Sequence, residues 1–96
     1  MERLNNIHPG EVLKEEFLEP LGITQYKIAK DIGVGQTAIS EIIKGRRRIS
    51  IEMAVRLSKY LDTSARFWIN LQNDYDIEEI EKQNKFGFIK KVMVNL

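Results

Sequence analysis

Apolar positions along the chain recur at three- and four-residue spacings, in short runs broken by glycine and proline, and each run predicts a helix. His8-Pro9-Gly10-Glu11 opens the first, since proline near a helix start forfeits an N–H that has no intrahelical partner. Val12, Leu13, Phe17 and Leu18 form its apolar stripe, and Pro20 with Gly22 is expected to end it. Thr24 caps a second helix over residues 25–32, closed by Gly33. A third covers residues 35–44 and is closed by Gly45. Ser50 caps a fourth that runs to Leu61, with Ile51, Ala54, Val55, Leu57, Ser58 and Leu61 expected on its inner side. Ser64 caps a fifth beginning Ala65-Arg66-Phe67-Trp68. No segment before residue 86 alternates with period two, and there is no internal repeat or low-complexity tract. The expected fold is all-α: one five-helix domain over residues 1–85, with a short C-terminal extension over 86–96.

The second and third helices have the makings of a helix-turn-helix. That unit needs two short helices crossing steeply, the second free to lie in a major groove. Ala29 is small where the helices would cross, Gly33 tolerates the positive φ of the turn, and Ile28, Ile32, Val34, Ile39, Ile42 and Ile43 can lock the pair. On a 100° wheel Gln36, Thr37, Ser40, Glu41 and Lys44 share an arc of about 140°, opposite Ala38, Ile39, Ile42 and Ile43. Gln can present donor and acceptor together to adenine, and Thr can offer a hydroxyl or a methyl to thymine. The third helix alone does not separate a base-reading face from an ordinary solvated one. The crossing signature of Ala29, Gly33 and Ile39 favours double-stranded DNA as the ligand.

Charge sharpens this. The net +1 conceals 2 basic and 5 acidic side chains in residues 1–22, 8 and 3 in residues 23–61, and 5 and 6 in residues 62–96. A polyanion would meet the middle of the chain. Arg46-Arg47-Arg48, directly after the third helix, falls where phosphates would run, and Gln25 begins a helix whose N-terminal N–H groups favour a phosphate. A chain of 96 residues has room for a modest core and not for a large buried enzyme cleft. The absence of cysteine excludes a disulfide framework and a cysteine–zinc site. No apolar run is membrane-length, and Met1-Glu2-Arg3-Leu4-Asn5-Asn6 leads into no signal-peptide core, so a cytoplasmic location is expected.

The stretch Thr24-Gln25-Tyr26-Lys27-Ile28-Ala29-Lys30-Asp31-Ile32-Gly33-Val34, with Gln36-Thr37-Ala38-Ile39-Ser40 and Gly45, resembles the lambda-repressor-like (Cro/C1-type) helix-turn-helix family. Within it, His8-Pro9-Gly10-Glu11, Ile49-Ser50, Arg56-Leu57-Ser58 and above all Phe67-Trp68-Ile69-Asn70-Leu71-Gln72 are similar to the HigA group of antitoxins from bacterial toxin–antitoxin modules. The resemblance spans roughly residues 7 to 80. It implies a lambda-repressor-like fold and an autorepressor at the bacterial nucleoid that binds a palindromic operator as a homodimer. It also implies neutralisation of a partner toxin, typically an mRNA-cleaving ribonuclease. By match to the family motif, Gln36 and Thr37 would read bases and Glu41 would occupy a further base-facing position, one where an acid tolerates fewer bases. Gln25, Lys44, Arg46 and Arg47 would hold phosphates, with Ser40 and Arg48 beside them. The chain departs from the family at Gly35, where a Ser or Thr cap is usual, at Asp62, where Gly often ends the fourth helix, and in its tail. There Val92, Val94 and Leu96 alternate like a strand that could pair with a partner or a dimer mate; a frayed or helical continuation fits as well.

Other residues carry less chemistry. His8 has no ligand-type neighbours in sequence and reads as a capping or surface histidine. Phe67, Trp68 and Leu71 are spaced as core, and Asp74, Asp76, Glu78, Glu79 and Glu81 lack the glycine and ligand order of a calcium loop. No catalytic residues, cofactor or metal are expected. A stand-alone regulator without a toxin is the alternative function, and a helical interaction module that has lost DNA binding is a third, opposed by the Gln36/Thr37 face and the arginine triplet.

Overall fold

A computed structural model describes residues 6–93, and among these there are five helical segments and no strand. We number them α1 to α5. α1 is continuous but changes pitch: Pro9–Val12 is α-helical, Leu13–Leu18 is π-helical and Glu19–Leu21 is α-helical again. α2 is Gln25–Ile32, α3 Gln36–Ile43, α4 Ile51–Leu61 and α5 Ala65–Gln83.

The caps fall where the polar letters predict them. The hydroxyls of Thr24, Ser50 and Ser64 accept the backbone N–H three residues on, at 3.0, 3.1 and 3.0 Å. Asp62, with φ 55°, ends α4 in the left-handed conformation. Gly35 caps α3 with no side chain.

Two expectations need correcting. Pro20 does not end α1; the helix continues to Leu21 and stops at Gly22. The wider π turns, Leu13–Leu18, end two residues before Pro20, which has no N–H to give and whose ring crowds the carbonyl four residues back, so the wider spacing there absorbs the conflict. On α4 the inner face is rotated: Met53, Ala54 and Leu57 are buried, whereas Ile51 is 71 % and Val55 40 % exposed. Ile49, just ahead of the helix, takes the core place that Ile51 was expected to fill.

The core joins Leu13 and Leu18 of α1, Ile28, Ala29 and Ile32 of α2, Ile39 and Ile42 of α3, Leu57 of α4 and Trp68 of α5. Trp68 is fully buried, and its indole N–H donates to Thr63 Oγ1 at 2.8 Å. Phe17 lies 5.3 Å from the Trp68 ring, which ties α1 to α5. Beyond Gln72 α5 loses its grip on the core, and Ile77 and Ile80 are exposed. Asn84 closes it in the left-handed conformation. Residues 86–93 hold no strand or helix. They bring Phe86, Phe88, Ile89, Val92 and Met93 into solvent, with one turn closed by Ile89 N–H on Phe86 O. Val94 and Leu96, the rest of the alternating tail, lie outside the described residues.

Candidate nucleic-acid interface

α2 and α3 form the helix-turn-helix. Ala29, 3 % exposed, lets the helices close on one another, and Gly33 makes the turn at φ 75°. Val34 N–H bonds back to Ala29 O at 2.9 Å. Arg56 of α4 donates to the Ile32 carbonyl, satisfying the end of α2 from a distant element. Asp31, also at that end, is held by the Tyr60 hydroxyl and by Lys27, and these bonds, the first above all, lower its carboxyl below the usual range.

With Ile39 and Ile42 fully buried, α3 turns its other side outward. Gln36 and Thr37 are exposed in its first turn, Ser40 and Glu41 half-buried in the next, and Lys44 exposed at its end. These five and Arg46 line one open depression. Gln25 lies apart from it, half-buried at the N-terminus of α2. The arginine triplet divides. Arg46 joins the depression. Arg47 turns onto Glu41, giving Nε and Nη2 to Oε1 at 2.9 and 2.6 Å. Arg48 turns the other way, its Nη2 2.9 Å from Asp76 Oδ2 on α5.

Three residues that the sequence did not place join the elements behind this surface. Gly10 is the first. A Cβ there would stand 1.8 Å from the Ile42 carbonyl oxygen and 2.5 Å from its carbon, so the start of α1 packs on the backbone of α3. Gln72 is the second: it is 1 % exposed, its Oε1 accepts Ile49 N–H at 2.7 Å and its Nε2 donates to Asp76 at 2.9 Å. The loop from Gly45 to Ile49 is thereby fixed to α5 through Gln72 and Asp76. Asn6 is the third, donating to the Tyr75 carbonyl and Glu79 Oε2. His8 is the cap expected of it: Nδ1 accepts Gly10 N–H at 2.9 Å, and its ring meets Tyr75 edge-on at 4.8 Å. The one signal available for Gly10 was a glycine inside the first turn of a helix, where most other residues have the higher helix propensity.

The acidic run is not gathered around one point. Asp76 serves Gln72 and Arg48, Glu79 serves Asn6 and Lys82, and among the described residues no set of three or more His, Asp or Glu could hold a metal. No helix of the described residues is long and apolar enough to cross a membrane.

A helix-turn-helix family model matches residues 14–68. Antitoxin HigA-1 of Vibrio cholerae is 35 % identical over 89 residues, covering 91 % of this chain and 84 % of the relative. Among solved structures, the Pseudomonas aeruginosa antitoxin HigA with the higBA promoter superposes with TM-score 0.85 at 36 % identity, covering 93 % of this chain and all of that one. Antitoxin GraA in complex with its operator gives TM-score 0.87 at 34 % identity over 98 % of both chains.

Proposed function

From the premise that the chain belongs to the Cro/C1-type helix-turn-helix family, we propose that it is a sequence-specific repressor of double-stranded DNA that serves as the antitoxin of a type II toxin–antitoxin module. It binds a palindromic operator of its own operon as a homodimer and neutralises a ribonuclease toxin encoded beside it, in the cytoplasm and at the nucleoid. One observation carries the DNA reading: the first two turns of α3 present Gln36, Thr37, Ser40 and Glu41 on one surface together with Lys44 and Arg46. An α-helix fits the major groove end-on in that attitude, base-reading side chains at its start and cations at the margin.

In this reading Gln36 and Thr37 contact base edges. Lys44, Arg46, Arg47 and the N-terminus of α2 at Gln25 hold phosphates, with Ser40 within the depression. The exposed apolar residues of α5 and of residues 86–93 point to that end of the chain, with the rest of the extension to residue 96, as the surface for a dimer mate or the toxin.

The test is to sequence duplexes retained by the purified protein from a random pool, across a salt series. One enriched palindromic motif, matching the DNA upstream of the chain's own reading frame, is the expected result; retention without enrichment defeats sequence-specific repression. Gln36→Ala should relax the preference at one base pair by about 1–3 kcal/mol. Co-purification of a short basic protein from the neighbouring frame is expected. Its absence, with operator binding intact, leaves the stand-alone regulator.

A further inference from the structure

We propose, building on the operator reading, that Glu41, held by Arg47, is a specificity-determining residue that selects cytosine. An ionised carboxylate is acceptor-only, so the base edge it meets must offer a donor. In the major groove two bases do: cytosine through N4 and adenine through N6. Adenine sets its N7 acceptor beside N6, and that acceptor opposes a second carboxylate oxygen; cytosine sets no acceptor beside N4. A carboxylate on the reading helix therefore favours cytosine.

The position of Glu41 meets this requirement. It lies four residues after Thr37, hence one turn on along the same face, in the depression shared with Gln36, Ser40 and Lys44. Left alone, its charge would repel a polyanion. Arg47 answers this: both of its donated bonds go to Oε1, which leaves Oε2 for a base amino group and offsets the charge. The other N–H groups of the guanidinium stay available to a phosphate. An ion pair this exposed adds little to fold stability, so folding does not account for it.

The experiment is selection from random duplexes with the wild-type chain, Glu41→Gln and Glu41→Ala, followed by affinities of Arg47→Ala in the wild-type and Glu41→Gln backgrounds. Glu41 and Arg47 are surface residues, and circular dichroism of each variant checks the fold. The wild-type motif should carry a cytosine in each half-site that both Glu41 variants lose, the preference falling about tenfold, with other positions unchanged. Arg47→Ala should weaken binding more in the wild type than in the Glu41→Gln background, where no bare carboxylate remains. A wild-type motif that persists in both Glu41 variants, or equal losses in the two backgrounds, overturns the inference. A wild-type chain that enriches no motif overturns the operator reading, and the inference with it.

Discussion

α3 has two sides that are built on opposite terms. The outer side is exposed, and its one strong internal contact is the Glu41–Arg47 pair. The inner side and the loop behind it are fixed by other elements: Gly10 lies against the Ile42 backbone, Gln72 takes Ile49 N–H, the His8 ring faces Gly45, and Asp76 takes Arg48. A reading surface must stay unsatisfied until its ligand arrives, whereas its mount must be satisfied beforehand. Preorganisation of this kind spares the ordering cost of binding. Substitutions in the mount should therefore disturb stability first and DNA affinity as a consequence, and substitutions on the face should do the reverse.

The sharpest break in that division is at Gly10. Gly10→Ala sets a methyl into the Ile42 carbonyl, a contact with backbone that no rotamer change can relieve. The expected loss is about 3 kcal/mol or more in guanidinium unfolding, with weaker DNA binding because α3 is pushed from its seat. Gly35→Ala is the control. Nothing lies within 4 Å of a Cβ there, and φ is −70°. Exchanging a glycine cap for alanine should cost about 0.5–1 kcal/mol, well below the loss at Gly10. Equal effects at the two glycines would deny that the start of α1 seats α3.

Next in size is Gln72→Ala. It leaves the buried Ile49 N–H without a partner and Asp76 without its buried donor, at a cost of about 1–3 kcal/mol. Amide exchange at Ile49 should accelerate well beyond that of the α2 core. Unchanged protection at Ile49 would mean that the loop is held by something other than α5.

These two residues also mark the limit of what the sequence discloses. The face was legible because helical periodicity is local: Ile39, Ile42 and Ile43 define one arc, and the polar residues opposite follow from 3.6 residues per turn. The turn at Gly33 and the caps at Thr24, Ser50 and Ser64 are local in the same sense. The mount joins positions far apart in the chain, such as Gly10 with Ile42 and Ile49 with Gln72, and no spacing rule links them. Gln72 could be noticed only as part of the Phe67–Gln72 resemblance, without its task. The inner face of α4 was misjudged because Ile51 and Val55 are more apolar by letter than Met53, while the neighbouring helices decide which arc is covered. The triplet Arg46-Arg47-Arg48 read as one basic unit. Its division between Glu41 and Asp76 depends on where α5 passes.

That division gives a smaller and cleaner test. Arg47 belongs to the face, so Arg47→Ala should weaken every duplex and flatten the dependence of log K on log salt by about one unit. Arg48 is committed to Asp76 and belongs to the mount. Arg48→Ala should leave the salt slope nearly unchanged and cost stability at most about 1 kcal/mol, as expected of an exposed ion pair. Titrating both variants from low to high salt separates the two roles. Equal slopes would make the triplet a single phosphate clamp and abolish the division.

The smallest effect expected is a pH dependence at His8. Burial against Tyr75 lowers its pKa below the ordinary 6.5, opposed in part by the nearby Asp76 carboxylate. The unfolded chain then binds more protons at this site than the folded one as pH drops. The contribution of neutral His8 is therefore present above 6.5 and is lost as pH falls through the lower folded value. The chemistry has the same sign, because a protonated Nδ1 cannot accept Gly10 N–H and the cap of α1 fails. The carboxylates of Asp31 and Glu79, both lowered by hydrogen bonds, act in a more acidic window. His8→Asn keeps a capping side chain without the titration. Between about pH 7.5 and about pH 5.5 the wild type should lose stability relative to this variant. Parallel profiles would show that the ring acts by packing alone. Because the Gly10 backbone that His8 caps lies on Ile42, a profile that does diverge should appear in DNA affinity as well, and so trace the mount through to the face.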